Sequence, residues 1–191
     1  MKKSLHLIEH VADILRILTL HKFGGVYLDT DSLLIKSLES LPDNWIAKQS
    51  TAEIASGAMS FSKDGIGRNV TAAILSELNS TFIPDSWSYN GPQAIQRVLD
   101  RLCSKRLKNI VNGDCGGVQV LSPENFYPIH YNWHSVYFKN GTIASMEGPY
   151  MHHMWNYLTK DLTIERDSPY DKLAQKFCPK IYEMYGDQFG I

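Results

Sequence analysis

The sequence predicts an α/β fold because helical and strand patterns alternate along it, and because its predicted strands are short and apolar. The chain has 191 residues, 43% hydrophobic and 20% charged, with 19 Lys or Arg against 20 Asp or Glu. This is an ordinary globular composition, and such a length is normally one domain. The near-neutral charge gives no support to a nucleic-acid partner. No window approaches the run of about 18 apolar residues that a membrane-spanning helix needs.

The first predicted elements are a helix and a strand separated by two glycines. An amphipathic helix is predicted over residues about 5–22, and Gly24-Gly25 ends it. Val26-Tyr27-Leu28 is predicted as a strand buried in a parallel sheet. The apolar face of the helix is predicted to consist of Leu7, Ile8, Val11, Leu15 and Leu18.

The later elements follow the same alternation. A strand is predicted at 58–62, a helix near 68–78, a second helix over 93–105, and strands at 118–121 and 136–138. Asn140-Gly141 is a tight-turn signal. Ser168-Pro169 is a cap and first turn for a C-terminal helix, which Pro179 is expected to interrupt.

The cysteines and glycosylation sequons bear on the compartment. Cys103 and Cys115 bracket a basic loop, and their spacing is equally consistent with one disulfide and with two unlinked thiols. Cys178 has no assigned partner. Three N-x-[ST] sequons begin at Asn69, Asn79 and Asn140. Together these features favour a secretory-pathway lumen.

Two carboxylates directly after the first strand are the most informative feature. Asp29 and Asp31, at positions i and i+2, are expected to point to one side of an extended segment. Carboxylates this close repel each other unless a cation lies between them. Mg²⁺ or Mn²⁺, shared with phosphate oxygens, is the natural occupant.

The helix before this motif carries three charged residues on one face: Glu9, Asp13 and Arg16. Spacing alone favours a solvated helix face with a local pair between Asp13 and Arg16.

Five short segments along the chain form a recognisable combination: Asp13-Ile14-Leu15-Arg16, Gly24-Gly25-Val26-Tyr27-Leu28-Asp29-Thr30-Asp31, Tyr89-Asn90-Gly91-Pro92, Phe126-Tyr127-Pro128-Ile129 and His153-Met154-Trp155-Asn156. Taken together they resemble the motifs of the α-1,4-glycosyltransferases, a family of D-x-D sugar transferases. The resemblance extends over nearly the whole chain from about residue 5.

This resemblance implies a GT-A (Rossmann-like) fold and a metal-dependent hexosyltransferase. Such an enzyme moves galactose or N-acetylglucosamine from a UDP-sugar to a glycolipid or glycan acceptor in α-1,4 linkage, with retention of configuration. It implies a D-x-D region over residues 5–40 and a family-specific C-terminal region over about 60–188 of a domain spanning 5–191. The expected compartment is the Golgi lumen.

The resemblance also implies roles for individual residues. The metal, Mn²⁺ or Mg²⁺, would be held by Asp29, Asp31 and His153. The cysteine pair Cys103 and Cys115 would form a disulfide. The donor would contact Asp13, Arg16, Tyr27, Asp29, Asp31, Asn90, Gly91, Pro92 and Gln93. Aromatic rings suit the apolar faces of sugars, which makes Trp133, His134 and Trp155 candidate acceptor contacts. No residue is assigned as a nucleophile, because the leaving phosphate can itself guide the acceptor.

Two alternatives remain open from the sequence. The family's domain opens with strands that seat the nucleotide, and a membrane anchor precedes them, whereas Met1-Lys2-Lys3-Ser4 stands there in this chain. The chain is therefore expected to be the C-terminal portion of an anchored transferase, or an inactive, binding-only fragment. An Asp29-x-Asp31 pair after a strand also resembles a Mg²⁺-dependent phosphatase motif, although Leu33 departs from it.

Overall fold

A computed structural model describes residues 4–103 and 107–188. Its helices and strands are, in chain order, α1 (Leu7–Phe23), β1 (Gly25–Leu28), β2 (Ser32–Leu34), β3 (Trp45–Lys48), β4 (Ile54–Phe61), α2 (Gly65–Thr81), α3 (Pro92–Leu102), β5 (Gly113–Cys115), β6 (Val118–Leu121), α4 (Pro123–Phe126), β7 (Met151–His153), α5 (Asn156–Thr159), α6 (Pro169–Phe177) and α7 (Pro179–Tyr185). Three 3-10 helices span Leu107–Asn109, Tyr131–Tyr137 and Gly186–Gln188.

These elements form two units. Unit 1 comprises the described residues up to Asp29 together with Glu39–Pro123. Unit 2 comprises Thr30–Leu38 and the described residues from Glu124 onward. The boundary therefore falls inside the D-x-D motif, so that Asp29 belongs to unit 1 and Asp31 to unit 2.

Unit 1 contains a mixed five-stranded sheet in the order β1-β4-β3-β6-β5. Strands β3 and β6 pair in parallel, and the other neighbouring strands pair antiparallel. Helices α1, α2 and α3 pack against one another, and all three contact β4. Their apolar side chains bury a common core with those of the sheet, including Ile17, Ile46, Phe61, Ile74 and Leu99. The α/β class is thus confirmed, in the form of a mixed sheet.

Strand β1 differs from its prediction. It lies at an edge of the sheet, pairs antiparallel with β4, and leaves Val26 exposed. The expectation of a buried parallel strand at Val26-Tyr27-Leu28 is wrong. A run of three apolar residues does not contain the information that separates an edge strand from a central one.

The apolar face predicted for α1 is also wrong. Leu7, Ile8, Leu15 and Leu18 are exposed, whereas the helix buries His10, Asp13, Ile17 and Leu20. Two of these buried residues are polar, and they are buried because other segments supply their hydrogen-bond and ionic partners. A hydrophobicity pattern counts such residues as surface.

Unit 2 combines a two-stranded antiparallel sheet, β2-β7, with short helices. In its register Ser32 lies opposite His153 and Leu34 opposite Met151. Its core consists of Leu33, Tyr137, Phe138, Met154 and Leu173.

The remaining predicted elements are mostly confirmed. The helix near 68–78 is α2 and the strand at 118–121 is β6. Helix α3 ends at Leu102, and Lys105, the predicted end, lies outside the described residues. Ser168 caps α6 by accepting a hydrogen bond from the Asp171 N–H, and a new helix begins at Pro179. The strand predicted at 136–138 is wrong, because a 3-10 helix extends to Tyr137.

Replacement of a buried and of an exposed aliphatic residue on α1 tests the corrected face. Ile17→Ala should lower the free energy of unfolding by about 2–5 kcal/mol, because Ile17 is 1% exposed and its removal leaves a cavity. Leu15→Ala, at a side chain that is 52% exposed, should change it by less than about 0.5 kcal/mol. Urea denaturation measures both, and equal losses would contradict the observed orientation of α1.

An ion pair between α2 and α3 should make unit 1 sensitive to acid. Arg97 and Arg101 contact the buried Glu77 carboxylate at 2.6 and 2.7 Å, and the Arg97 hydrogen bond is the main cause that lowers the pKa of Glu77 below its ordinary value of 4.5. A lowered pKa contributes stability above the ordinary value and loses it as the pH falls through the folded-state value.

Glu77→Gln should therefore destabilise the protein at neutral pH, and its difference from the wild type should shrink as the pH falls below the ordinary value. Urea denaturation at a series of acidic pH values measures this difference. Arg97→Gln serves as the partner variant and should reduce the same pH dependence. A difference that stays constant with pH would be evidence against the ion pair as its origin.

Candidate functional site

Asp29 follows β1 while still attached to the sheet. The pairing of β1 with β4 runs from Gly25 opposite Phe61 to Leu28 opposite Ala58. The Asp29 N–H then donates to the Gly57 carbonyl at 2.8 Å. Asp29 thus has a defined backbone position at the end of an edge strand, although it is no longer part of that strand.

The Arg16 guanidinium is the centre of the charged cluster in unit 1. It lies 3.3 Å from the Asp29 carboxylate and 3.5 Å from that of Asp13. It also donates to the Ser56 carbonyl oxygen at 2.7 Å and lies over the Tyr27 ring, 4.9 Å from its centroid. Its side chain is only 11% exposed. The predicted local pair between Asp13 and Arg16 is confirmed, whereas the predicted solvation is wrong for these two residues, because they are buried on the side of α1 that contacts β1 and β4.

Asp13 is a buried carboxylate with two stabilising partners. Ser56 donates its hydroxyl hydrogen to Asp13 at 3.3 Å, and Arg16 supplies a positive charge. Burial is the largest influence and raises the pKa of Asp13 above its ordinary value, while Arg16 and Ser56 oppose that rise. Arg16 and Ser56 are thus the partners that favour the ionised form of this buried carboxyl.

Tyr27 completes this cluster from β1. Its hydroxyl donates to the Asp29 carboxylate at 2.7 Å. Burial, more than any other cause, raises the pKa of Tyr27 far above its ordinary value, so that the phenol remains a hydrogen-bond donor. Asp29 therefore receives both a hydrogen bond and an ionic contact from within unit 1.

The segment before α3 contacts the same cluster through Gly91. A Cβ atom at Gly91 would lie 2.1 Å from the Asp13 carboxylate, so only glycine permits this approach. Asn90 is 1% exposed, and its amide bonds the backbone of Ile83. Asn90 thus holds the loop, and its contact with a donor stays a prediction.

Pro92 and Gln93 begin helix α3. Pro92 occupies the first turn, where its missing N–H costs nothing. The Gln93 side chain donates to the Ser88 hydroxyl at 2.8 Å and is exposed. Of the four residues predicted in this loop, Gln93 is the one whose side chain faces solvent.

In unit 2, Asp31 lies beside His153. The Asp31 carboxylate is 3.4 Å from Nε2 of His153. The Asn156 N–H donates to the same carboxylate at 2.8 Å, and the Met154 N–H donates to the Asp31 carbonyl. The pairing of β2 with β7, which the sequence did not predict, brings these residues together.

Trp155 has a backbone conformation that large side chains rarely adopt, with φ at 56°. Its N–H donates to Nδ1 of His153 at 3.1 Å, and its indole donates to the Ile129 carbonyl at 2.9 Å. The ring packs against His153 with centroids 4.4 Å apart. These contacts orient His153 so that Nε2 faces Asp31.

The other two candidate acceptor residues lie in the 3-10 helix Tyr131–Tyr137. Trp133 is 68% exposed, whereas His134 is partly buried and its Nδ1 contacts the Tyr131 carbonyl at 2.6 Å. Trp155 contacts the Tyr131 ring edge-on at 5.9 Å. Aromatic side chains are therefore grouped around this segment, and a role in acceptor binding stays a prediction.

The D-x-D motif supplies metal-type ligands from both units. Asp29 and Asp31 are two residues apart, so their Cα atoms can be no more than about 7 Å apart. Unit 1 offers the Asp29 carboxylate, and unit 2 offers the Asp31 carboxylate and the His153 imidazole. Carboxylate oxygens and an imidazole nitrogen suit Mn²⁺, and carboxylates alone suit Mg²⁺.

The cysteines and sequons occupy defined positions outside this cluster. Cys103 and Cys115 form a disulfide, and Cys178 is a free thiol. Asn69 and Asn79 are exposed on α2. Asn140 is exposed and donates to the Arg166 carbonyl at 3.0 Å. Attachment of glycans at these three positions stays a prediction.

Two residues of the unit 1 cluster were not predicted from the sequence. Ser56 bonds both Asp13 and Arg16, and nothing in its sequence context distinguishes it from other serines. His10 contacts Asn90, and its only signal is its position three residues before Asp13 on the same helix face.

Comparison with known proteins identifies two conserved regions. A model described as "Alpha 1,4-glycosyltransferase conserved region" matches residues 63–185. A second, "Glycosyltransferase sugar-binding region containing DXD motif", matches residues 1–52. The resemblance found in the sequence is thereby confirmed. No solved structure matches the chain.

Individual relatives agree with these regions. Lactosylceramide 4-alpha-galactosyltransferase of Pongo pygmaeus is 30% identical over 93% of this chain and 82% of its own length. The Homo sapiens protein of that name is 28% identical over 93% of this chain and 51% of its own length. Alpha-1,4-N-acetylglucosaminyltransferase of Homo sapiens is 26% identical over 90% and 50%. The chain thus spans about half the length of these two human relatives.

Among the helices in the described part of the chain, none combines the length and apolar character needed to cross a bilayer.

The close approach of Gly91 to Asp13 predicts a strong effect of a single methyl group. Gly91→Ala should lower the free energy of unfolding by about 1–3 kcal/mol, because the new Cβ would overlap a carboxylate oxygen. Gly113→Ala is the matched control, since its Cβ would meet only Ile110 at an ordinary 3.5 Å. Urea denaturation compares them. Equal stability of the two variants would show that the loop does not pack on Asp13.

Proposed function

We propose that this chain, which belongs to the α-1,4-glycosyltransferase family, is a retaining sugar transferase. It transfers galactose or N-acetylglucosamine from a UDP-sugar to a glycolipid or glycan acceptor in α-1,4 linkage. The observation that carries the proposal is the environment of the D-x-D motif. Asp29 is held by Arg16 and Tyr27, and Asp31 is held by the Asn156 N–H beside His153.

Asp29, Asp31 and His153 are the proposed ligands of a divalent metal, Mn²⁺ or Mg²⁺. The donor set fits such an ion, with one requirement at His153. A neutral imidazole ligates through Nε2 when its ring proton is on Nδ1, where the Trp155 N–H now donates, so ligation would replace that hydrogen bond. When bound, the cation would offset the charge that develops on the UDP leaving group.

The residues of unit 1 are proposed to bind and orient the donor. Arg16 lies against two carboxylates, so it can hold Asp29 in position beside the ribose or sugar of the donor. Tyr27 holds the other side of Asp29. Asp13, with Gly91 packed on it, would contact hydroxyl groups of the donor as an acceptor. Pro92 and Gln93 would border the sugar.

The acceptor is proposed to bind near the aromatic side chains of unit 2. Trp133 and Trp155 offer ring faces that suit the apolar face of a sugar, and His134 lies in the same 3-10 helix as Trp133. Lactosylceramide in the names of several relatives makes a glycolipid the acceptor to test first.

A GT-A (Rossmann-like) fold and a Golgi lumen location complete the proposal. The mixed sheet with its parallel pair β3–β6 is compatible with that fold. The disulfide and the exposed sequons on α2 favour an oxidising lumen. The division into regions 5–40 and about 60–188 stays a prediction.

Substitution of the D-x-D residues tests the function. The chain should release UDP from UDP-galactose or UDP-N-acetylglucosamine in the presence of Mn²⁺ and an acceptor. Asp29→Asn and Asp31→Asn should each reduce this activity by more than about 100-fold. Loss of a direct metal ligand should cost more than loss of a residue that only supports a ligand. The measurements are UDP release and Mn²⁺ affinity by calorimetry.

Asp161→Asn is the matched control, because Asp161 is an exposed acid of unit 2 and should leave activity unchanged. Activity that survives both D-x-D substitutions would overturn the proposed metal site. Phosphate release from phosphomonoesters would favour the phosphatase alternative, and UDP binding without transfer would favour a binding-only protein.

A further inference from the structure

We propose that His10 is a positioning residue of the donor site, acting on Asp13 through Asn90 and the backbone of Gly91. The inference rests on the proposed function, since it takes Asp13 as a donor-binding residue. His10 lies on α1 one turn before Asp13, and its side chain is 0% exposed. A fully buried imidazole must have hydrogen-bond partners, and those partners determine what it holds in place.

The imidazole joins α1 to the segment between α2 and α3. Its Nδ1 lies 2.7 Å from the Ser4 hydroxyl, and its Nε2 lies 3.0 Å from the Asn90 side-chain nitrogen. The Ser86 carbonyl oxygen lies 2.9 Å from the same Nε2. The rings of Phe82 and His6 pack edge-on against it at 5.1 and 5.9 Å. His10 therefore contacts both ends of this segment.

The orientation of the Asn90 amide defines the direction of its bond to His10. The Ile83 N–H donates to Asn90 Oδ1 at 2.9 Å, and Asn90 Nδ2 donates to the Ile83 carbonyl at 2.6 Å. The nitrogen must therefore face His10, and an amide NH₂ group can only donate. Nε2 of His10 accepts from Asn90 when it carries no proton and donates to the Ser86 carbonyl when it does, so in either tautomer it contacts the loop that Asn90 closes at Ile83.

The loop transmits this position to the charged cluster. Gly91 follows Asn90 directly, and its α-carbon faces the Asp13 carboxylate so closely that a Cβ would lie 2.1 Å from an oxygen. Asp13 in turn contacts Arg16, and Arg16 contacts Asp29. A loop that moves by a fraction of an ångström changes the surroundings of Asp13. The position of donor-binding groups is sensitive to shifts of this size.

Two conservative substitutions of His10 separate positioning from packing. The amide of glutamine reaches the position of Nε2 and can accept from Asn90 or donate to the Ser86 carbonyl, whereas the shorter asparagine reaches only the position of Nδ1. His10→Asn should weaken the binding of UDP with Mn²⁺ about tenfold, the effect of one buried hydrogen bond. It should raise the KM for the UDP-sugar more than it lowers kcat. His10→Gln should restore both values to near those of the wild type.

A second measurement does not depend on UDP binding. The Ile83 amide donates to Asn90 and the Ala94 amide donates to the Gly91 carbonyl, so hydrogen exchange at these two amides reports the position of the loop. His10→Asn should lose protection at both, and His10→Gln should keep it. The control is Ile74→Val, which removes a methyl group from the unit 1 core and should lower Tm without changing UDP affinity.

The outcomes distinguish the inference from the proposed function. A wild-type chain that binds no UDP contradicts the proposed function, while amide exchange still decides whether His10 holds the loop. Unchanged exchange in His10→Asn overturns the inference. Equal losses in the asparagine and glutamine variants also overturn it, because they show that the imidazole acts only by filling space.

Discussion

The guanidinium of Arg16 holds together the parts of unit 1 on which the candidate site depends. It contacts Asp13 on its own helix, Asp29 after β1 and the Ser56 carbonyl on β4, and it lies over the ring of Tyr27. A buried guanidinium is stable only when most of its donors are satisfied and its charge is balanced. The pairing of β1 with β4 supplies both conditions, because it brings Asp29 and Ser56 together beside Arg16.

Asp31, the second acid of the D-x-D motif, is positioned by a different set of contacts. Asp31 precedes β2, and the pairing of β2 with β7 brings it to His153. The left-handed conformation of Trp155 lets the chain turn so that its own N–H meets His153 while the Asn156 N–H meets Asp31. Strain of this kind persists where surrounding contacts impose it, and it is common at functional sites. Asp29 and Asp31 are joined through a single intervening residue.

The predictable parts of the structure are those with local causes. Helices α2, α3 and α6 follow from periodicity and from caps such as Ser168, and the helix break at Pro179 follows from its missing N–H. The D-x-D acids were identifiable because two carboxylates after a short strand are chemically conspicuous. By contrast, the hydrophobicity pattern predicts the wrong buried face for α1. His10 and Asp13 are buried on the other face, because distant segments supply their polar partners.

Residue types and their spacing are enough to identify the family, the alternation of helices and strands, and the D-x-D acids Asp29 and Asp31. The fold is what makes β1 an antiparallel edge strand, buries Arg16 between two carboxylates, and makes Asn90 hold a loop. Hydrogen bonds and ion pairs between distant segments have no local signature, because any exposed-looking polar residue can be buried once the fold supplies its partner.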